Sequence, residues 1–250
     1  MNIPVNTSTI ARVLAIVIGS FALATAVPAV GDSSSAMRNL SIVIIFGIVA
    51  ITLLTQAASR RKRLFDAIGM ELNKLRRLYH ISKNLSVASP ERYRSWFTEL
   101  HGFLQAYLMM FAGKDFSIYD SSNAAFRKLS YHVYTIPLVE TKKEEALFED
   151  LLRTAATIAE SRQHIKELWD SRMSGYLWTI IFLLAGGYIF TTLLVMDDSF
   201  IARMSGGGTI AAGLLVVDFI WALDSLASDG KPTAKRYADN LARLELGHRQ

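Results

Sequence analysis

Two long stretches almost free of charge, residues 13–58 and 173–223, flank a polar and charged middle. Each stretch divides into two segments near the ~20 apolar residues that a ~30 Å hydrocarbon layer requires. The first breaks at GDSSSAMRN, residues 31–39, and the second at DDSFIAR, residues 197–203. The expected fold is therefore an all-α membrane protein with four transmembrane helices and a helical cytoplasmic insert between the second and third spans. The expected divisions are a transmembrane hairpin over residues 1–58, a cytoplasmic helical domain over 59–172, a second hairpin over 173–223 and a cytoplasmic tail over 224–250.

Apolar residues make up 51% of the chain and charged residues 20%, which suits a membrane part joined to an aqueous part. There is no cysteine, which removes disulfides, thiolate zinc sites and cysteine nucleophiles together. Residues 59–172 hold nineteen Lys or Arg against fourteen Asp or Glu, which accounts for the whole formal charge of +5. Mixed charge of this kind gives no reason to expect a nucleic-acid partner.

Charge placement orients the chain. Arg60, Arg61, Lys62 and Arg63 follow the second span at once, whereas the hairpin linkers hold only Arg38 and Arg203. Positive charge favours the inner side, so the insert and both termini are expected in the cytoplasm, with Lys231, Lys235, Arg236 and Arg243 after the fourth span. Tyr176, Trp178 and Trp221 then fall near the inner interface, where amphipathic rings are favoured. The first apolar run ends in AVPAVGD, and cleavage of a secretory signal after Ala29 is the alternative to a first span. Against cleavage stand the lack of Lys or Arg before Arg12 and the second span that follows closely. Ser20 with Ala24 and Ala22 with Ala26 have the small-residue spacing of closely packed membrane helices.

The insert reads as helix nearly throughout. Leu64, Ile68, Leu72, Leu75 and Tyr79 form one apolar stripe, and no Gly or Pro separates that helix from the second span. Leu147, Leu151, Ala155, Ile158, Ile165 and Trp169 mark a second stalk, expected to start near Glu140 and to run unbroken into the third span. Between the stalks, one helix is expected at Pro90 after a Ser89 cap, and another opened by Asp120 or Ser121. That makes four cytoplasmic helices.

Catalytic, metal and cofactor readings find no support. His80, His101, His132, His164 and His248 show no HExxH spacing. Gly206, Gly207 and Gly208 lack the following Lys of a phosphate loop and read as the start of the fourth span. Glu140, Glu144, Glu145, Glu149 and Asp150 read as a solvated helix start, where negative charge complements the dipole. Two residues ask for more. Arg162 falls within the apolar stripe of the second stalk, which implies a carboxylate partner, Glu71 or Glu99, or else a bound anion. Asp218 sits about one and a half turns inside the fourth span, facing either a bundle interior or interface water.

The pattern resembles a known family. RRKRLFDAIGMELNKLRRLY after the second span, ESRQHIKELWDSR before SGYLWTIIFLLAGG and the ending ALDSLASDG look like the bestrophin-like domain proteins of bacteria, a family of unassigned function. The resemblance covers the chain from Leu40 onward. It departs where the family closes its fourth span with Asp-Pro-Phe, since Asp224 is followed here by Ser225 and Leu226. The resemblance implies distant similarity to bestrophins, pentameric anion channels of four spans with the second lining the pore. The Pro- and Phe-rich bestrophin neck has no counterpart in residues 41–56, and no acidic calcium clasp is matched.

The functional expectation is a homo-oligomeric channel or channel-like protein of the bacterial inner membrane, with both termini cytoplasmic and an inorganic anion as candidate permeant. A non-conducting scaffold or sensor that recruits a partner through its cytoplasmic helices is the alternative. Rings of Ile45, Phe46 or Val49 are the candidate pore constriction, and Arg60, Arg61, Lys62 and Arg63 the candidate vestibule.

Overall fold

A computed structural model describes residues 7–28, 31, 33–226 and 229–248. The Ala29 cleavage position lies outside the described residues, as do the side chains of residues 33–39 and 245–248. Among the described residues there is no strand. The helices are α1 (Thr7–Ala26), α2 (Ser33–Ala88), α3 (Pro90–Met109), α4 (Asn123–Tyr134), α5 (Lys142–Asp170), α6 (Gly175–Val195), α7 (Phe200–Ser225) and α8 (Gly230–His248), with a 3-10 segment over Phe116–Ser122. Among the described residues, four helices are long and apolar enough to cross a membrane. The chain divides into two compact units, one of Met1–Ser59 with Arg172–Ser225 and one of Arg60–Ser171 with Leu226–Gln250.

In the first unit, α7 packs against both α1 and α6. Phe46, Ala50 and Leu53 of α2 join Ile181, Ala185, Val217 and Ile220 in its core. Of the two small-residue pairs in α1, Ser20 and Ala24 are buried, while Ala22 and Ala26 are exposed. Gly206 and Gly207 lie inside α7 rather than at its start, and an added Cβ on Gly207 would stand 2.6 Å from a ring carbon of Phe21. They are notches that admit neighbouring side chains. Both hairpin connections are shorter than the sequence suggests, because α2 already begins at Ser33 and α7 at Phe200. Ser199 Oγ accepts the amide of Ala202 and helps to start α7 that early.

The second unit is built on an aromatic core. Tyr79, Tyr93, Tyr107, Phe111, Phe116 and Tyr237 are fully buried, and Phe111 and Phe116 each contribute ~1.5–3 kcal/mol by the usual measure for large apolar side chains. The α2 stripe buries Leu64, Ile68, Leu75 and Tyr79, and the α5 stripe buries Leu151, Ala155, Ile158 and Ile165. The tail is not a loose extension: α8 buries Thr233, Ala234, Tyr237, Asn240, Leu241 and Leu244 at three- and four-residue intervals. Asn240 donates to the Leu72 carbonyl at 3.2 Å and accepts from Arg76 at 3.1 Å.

Several local expectations are corrected. The second stalk does not run unbroken, since α5 ends at Asp170 and α6 starts at Gly175. Ser174 caps α6 by accepting the Leu177 amide, and Asp224 takes the Met173 amide at 3.0 Å, so side chains supply the partners that a continued helix would have supplied. Ser89 is the N-cap of α3 as expected and its carbonyl accepts the Arg92 and Tyr93 amides, but its side chain makes no cap bond. Its hydroxyl donates to Glu144 Oε1 at 2.8 Å. Glu144 is not a solvated acid either: it closes a capping box with Thr141, meets Arg92 Nη1 at 3.1 Å and is 4% exposed. The helix expected from Asp120 or Ser121 starts instead as the 3-10 segment, whose first amides are served by Asp115.

Candidate functional site

The membrane-spanning part of α2 has two faces. Phe46, Ala50, Leu53 and Ala57 are buried within the unit, while Ile44, Ile45, Ile48, Ile51, Thr52, Thr55 and Gln56 are exposed. The three pore candidates do not share a face. Ile45 is exposed, Phe46 is 5% exposed and stacks on Tyr188 with centroids 4.9 Å apart, and Val49 is partly buried against the same core. Along the exposed face, branched apolar side chains give way to two hydroxyls and an amide. Thr52 and Thr55 donate to the Ile48 and Ile51 carbonyls, each at 2.8 Å, which turns part of their polarity back onto the helix.

The basic cluster is divided in use. Arg60 is buried and donates to the carbonyls of Leu168 and Trp169 at 2.8 and 2.9 Å, serving orphan groups at the end of α5. Arg61 grips Asp229 through two bonds of 2.7 Å. Lys62 and Arg63 are exposed. Asp218 pairs across the first unit with Arg12, whose Nε stands 2.9 Å from Oδ1, and the Arg12 guanidinium lies over the Trp221 ring.

Arg162 belongs to a polar centre buried in the second unit. Glu71 of α2 is 0% exposed and accepts hydrogen bonds from Tyr107 of α3 at 2.5 Å, Tyr119 of the 3-10 segment at 3.1 Å and Tyr237 of α8 at 2.6 Å. Arg162 Nη1 stands 3.6 Å from Glu71 Oε1 and also donates to the Tyr107 hydroxyl. Its Nη2 donates to Ser122 Oγ at 3.0 Å and Asn123 Oδ1 at 2.8 Å. The guanidinium lies over the rings of Tyr107, Tyr119 and Phe126. Of the two carboxylates weighed for it, Glu71 is the one it meets; Glu99 lies 3.8 Å from His132.

Burial pushes the Glu71 carboxyl up, and Arg162 with the three phenols recovers part of the shift. Burial, reinforced by the nearby Glu71 charge, drives Tyr107 and Tyr237 well above the ordinary phenol range. These phenols are fixed donors, not proton carriers near neutrality. The sequence gives no sign of this gathering, because Tyr107, Tyr119 and Tyr237 sit 36, 48 and 166 residues from Glu71. Among the described residues no group of three or more His, Cys, Asp or Glu is placed to hold a metal ion.

No curated protein matches the chain in sequence. In fold it is similar to a membrane protein solved as a proline-to-alanine variant, with TM-score 0.70 and 11% identity over 96% of this chain and 99% of that one. It is also similar to a bacterial bestrophin homologue from Klebsiella pneumoniae solved as a leucine-to-threonine variant, with TM-score 0.69 and 11% identity over 94% and 98%. At that identity the likeness speaks for the fold. The bestrophin-like domain profile matches residues 11–224, which takes in the first span as well as everything from Leu40 to Asp224 and stops short of α8. With a match reaching from the second turn of α1 to the last turn of α7, the chain belongs to the bestrophin-like domain family.

Proposed function

We propose that the protein is a homo-oligomeric channel of the bacterial inner membrane in which copies of α2 line a central pore for a small inorganic anion. Both termini and the second unit face the cytoplasm in this reading. The observation that carries it is the exposed face of α2, which a single chain leaves uncovered while its composition grades from Ile44, Ile45, Ile48 and Ile51 to Thr52, Thr55 and Gln56. Thr52 and Thr55 satisfy their hydroxyls on their own helix, so the exposed Gln56 amide is the group on this face that lipid contact would least favour. A ring of such helices closes on a narrow apolar collar that gates by dewetting, then opens onto polar turns. Lys62 and Arg63, which follow in sequence, supply positive charge to the mouth, whereas Arg60 and Arg61 are largely spent inside the fold. Membership of the bestrophin-like family and the fold shared with a bestrophin homologue support the channel class.

The test is conduction in planar bilayers by purified oligomer. Ile45→Ser and Ile48→Ser should each raise conductance above the parent. Phe46→Ser should instead loosen the first unit, because Phe46 packs on Tyr188. Silence of both isoleucine variants in folded, oligomeric preparations would leave the scaffold reading in its place.

A further inference from the structure

Two guanidinium groups stand over the ring of Phe65 in α2. The Cζ of Arg61, one turn earlier on the same helix, is 5.0 Å from the ring centroid, and that of Arg236 in α8 is 4.8 Å away. Stacking on an aromatic face fixes a guanidinium while leaving its N–H edge open to a ligand. The two arginines differ in what else they hold. Arg61 is committed to Asp229 by its paired bonds, whereas Arg236 is exposed and has no ion-pair partner among the described residues. Lys62, Lys231 and Lys235 are exposed on the same two helices. Asp229 is already neutralised by Arg61, and the exposed Asp66 and Asp239 of the same two helices are outnumbered by Lys62, Lys231, Lys235 and Arg236, so the corner keeps a net positive charge.

The height of this corner along α2 points to what fills it. Arg61 lies three residues beyond Ala58, the end of the apolar run, hence about 4.5 Å further along the helix axis. Lipid headgroups occupy the ~5–8 Å on either side of the hydrocarbon layer. A phosphodiester at that height offers two anionic oxygens to the N–H edge of Arg236, which no carboxylate among the described residues occupies, and basic clusters just inside a span attract anionic lipid. We infer that the corner formed by Arg61, Phe65 and Arg236 binds the headgroup phosphate of an anionic glycerophospholipid, with Arg236 as its anchor. The inference needs α2 to cross the membrane but not the protein to conduct, so a silent channel that still binds lipid would sink one reading and leave the other.

Native mass spectrometry of the purified full-length oligomer, titrated with phosphatidylglycerol or phosphatidylcholine, tests it. Phosphatidylglycerol should be retained more strongly than phosphatidylcholine, and Arg236→Gln should weaken that retention about fivefold, the scale of one basic residue near a membrane surface. Arg127→Gln removes an equally exposed charge from α4 and should change nothing. If Arg236→Gln melts early, Arg236→Met keeps the contact with Phe65 without the charge and should show the same loss. Equal retention of the two lipids, full retention by the Arg236 variants, or an equal loss in Arg127→Gln overturns the site. Complete displacement of phosphatidylglycerol by millimolar inorganic phosphate assigns the corner to free phosphate and overturns the lipid.

Discussion

Tyr237 donates a 2.6 Å hydrogen bond to Glu71 across 166 residues of sequence, and this contact ties the last described helix to the second. Removing only the hydroxyl leaves a buried carboxylate with one donor fewer. Tyr237→Phe should destabilise the second unit by about 1–3 kcal/mol, read as an earlier thermal transition by circular dichroism. An unchanged transition would mean that water replaces the phenol.

Arg162→Met strips Glu71 of its counter-charge and three acceptors of their donor. The loss should be on the order of 3 kcal/mol, and Arg162→Met with Glu71→Gln together should recover part of it because the uncompensated charge is gone. Additive losses in that cycle would show that the two side chains do not interact.

Two carboxyls of the second unit should bend the pH profile in opposite senses. Glu144 is lowered to about 2, first by the Glu140 amide and then by the Ser89 hydroxyl, so its contribution is present above the ordinary value of 4.5 and is lost as pH falls toward 2. Glu71 is raised, chiefly by burial, so its contribution is full below 4.5 and fades as pH climbs through the raised value. Urea unfolding at several pH values should show the acid-side loss shrink in Glu144→Gln and the opposite slope shrink in Glu71→Gln. An acid limb unaltered in Glu144→Gln would place it on other groups.

Adjacent glycines of α7 should respond with opposite signs. An Ala Cβ at Gly207 would lie 2.6 Å from Phe21 Cδ1 and 3.2 Å from the Phe21 backbone, so side-chain rotation alone gives no escape, and a loss of ~1–3 kcal/mol is expected. Gly208 has nothing within 4 Å, and alanine there should stabilise by up to ~1 kcal/mol through helix propensity. Melting in detergent separates them.

Orientation is open to labelling. With a cytoplasmic second unit, a cysteine at Ser199 should react with an impermeant maleimide in intact cells and one at Ser117 should not. Reaction at Ser117 would reverse the assignment drawn from residues 60–63.

The helices were legible in the sequence wherever periodicity speaks: the stripe of Leu64, Ile68, Leu75 and Tyr79 and that of Leu151, Ala155, Ile158 and Ile165 are both buried. The break after Asp170 was not, because the signal is carried by the capping hydroxyl of Ser174 and by Asp224, fifty-one residues away from Met173. The packing of α8 was missed although Ala234, Tyr237, Leu241 and Leu244 recur at helical intervals, since its many charges conceal the stripe. An arginine in an apolar stripe announced that a partner exists, but no local pattern told that three tyrosines from three segments would share its carboxylate. The division of the α2 wall between Ile45 and Phe46 was equally hidden, because in a wholly apolar span both faces look alike.

The centre at Glu71 also imposes an order on synthesis. The carboxylate leaves the ribosome 166 residues ahead of Tyr237, a lag of about 8–30 s at ordinary elongation rates. In that interval α6 and α7 are both made, and until Tyr237 follows them Glu71 Oε2 has Tyr119 as its donor but not the shorter bond from α8. The second unit therefore reaches its final state only after α6 and α7 have been synthesised, and a chain stalled before α8 would leave Glu71 short of its Tyr237 bond and the α8 side of the core unfilled.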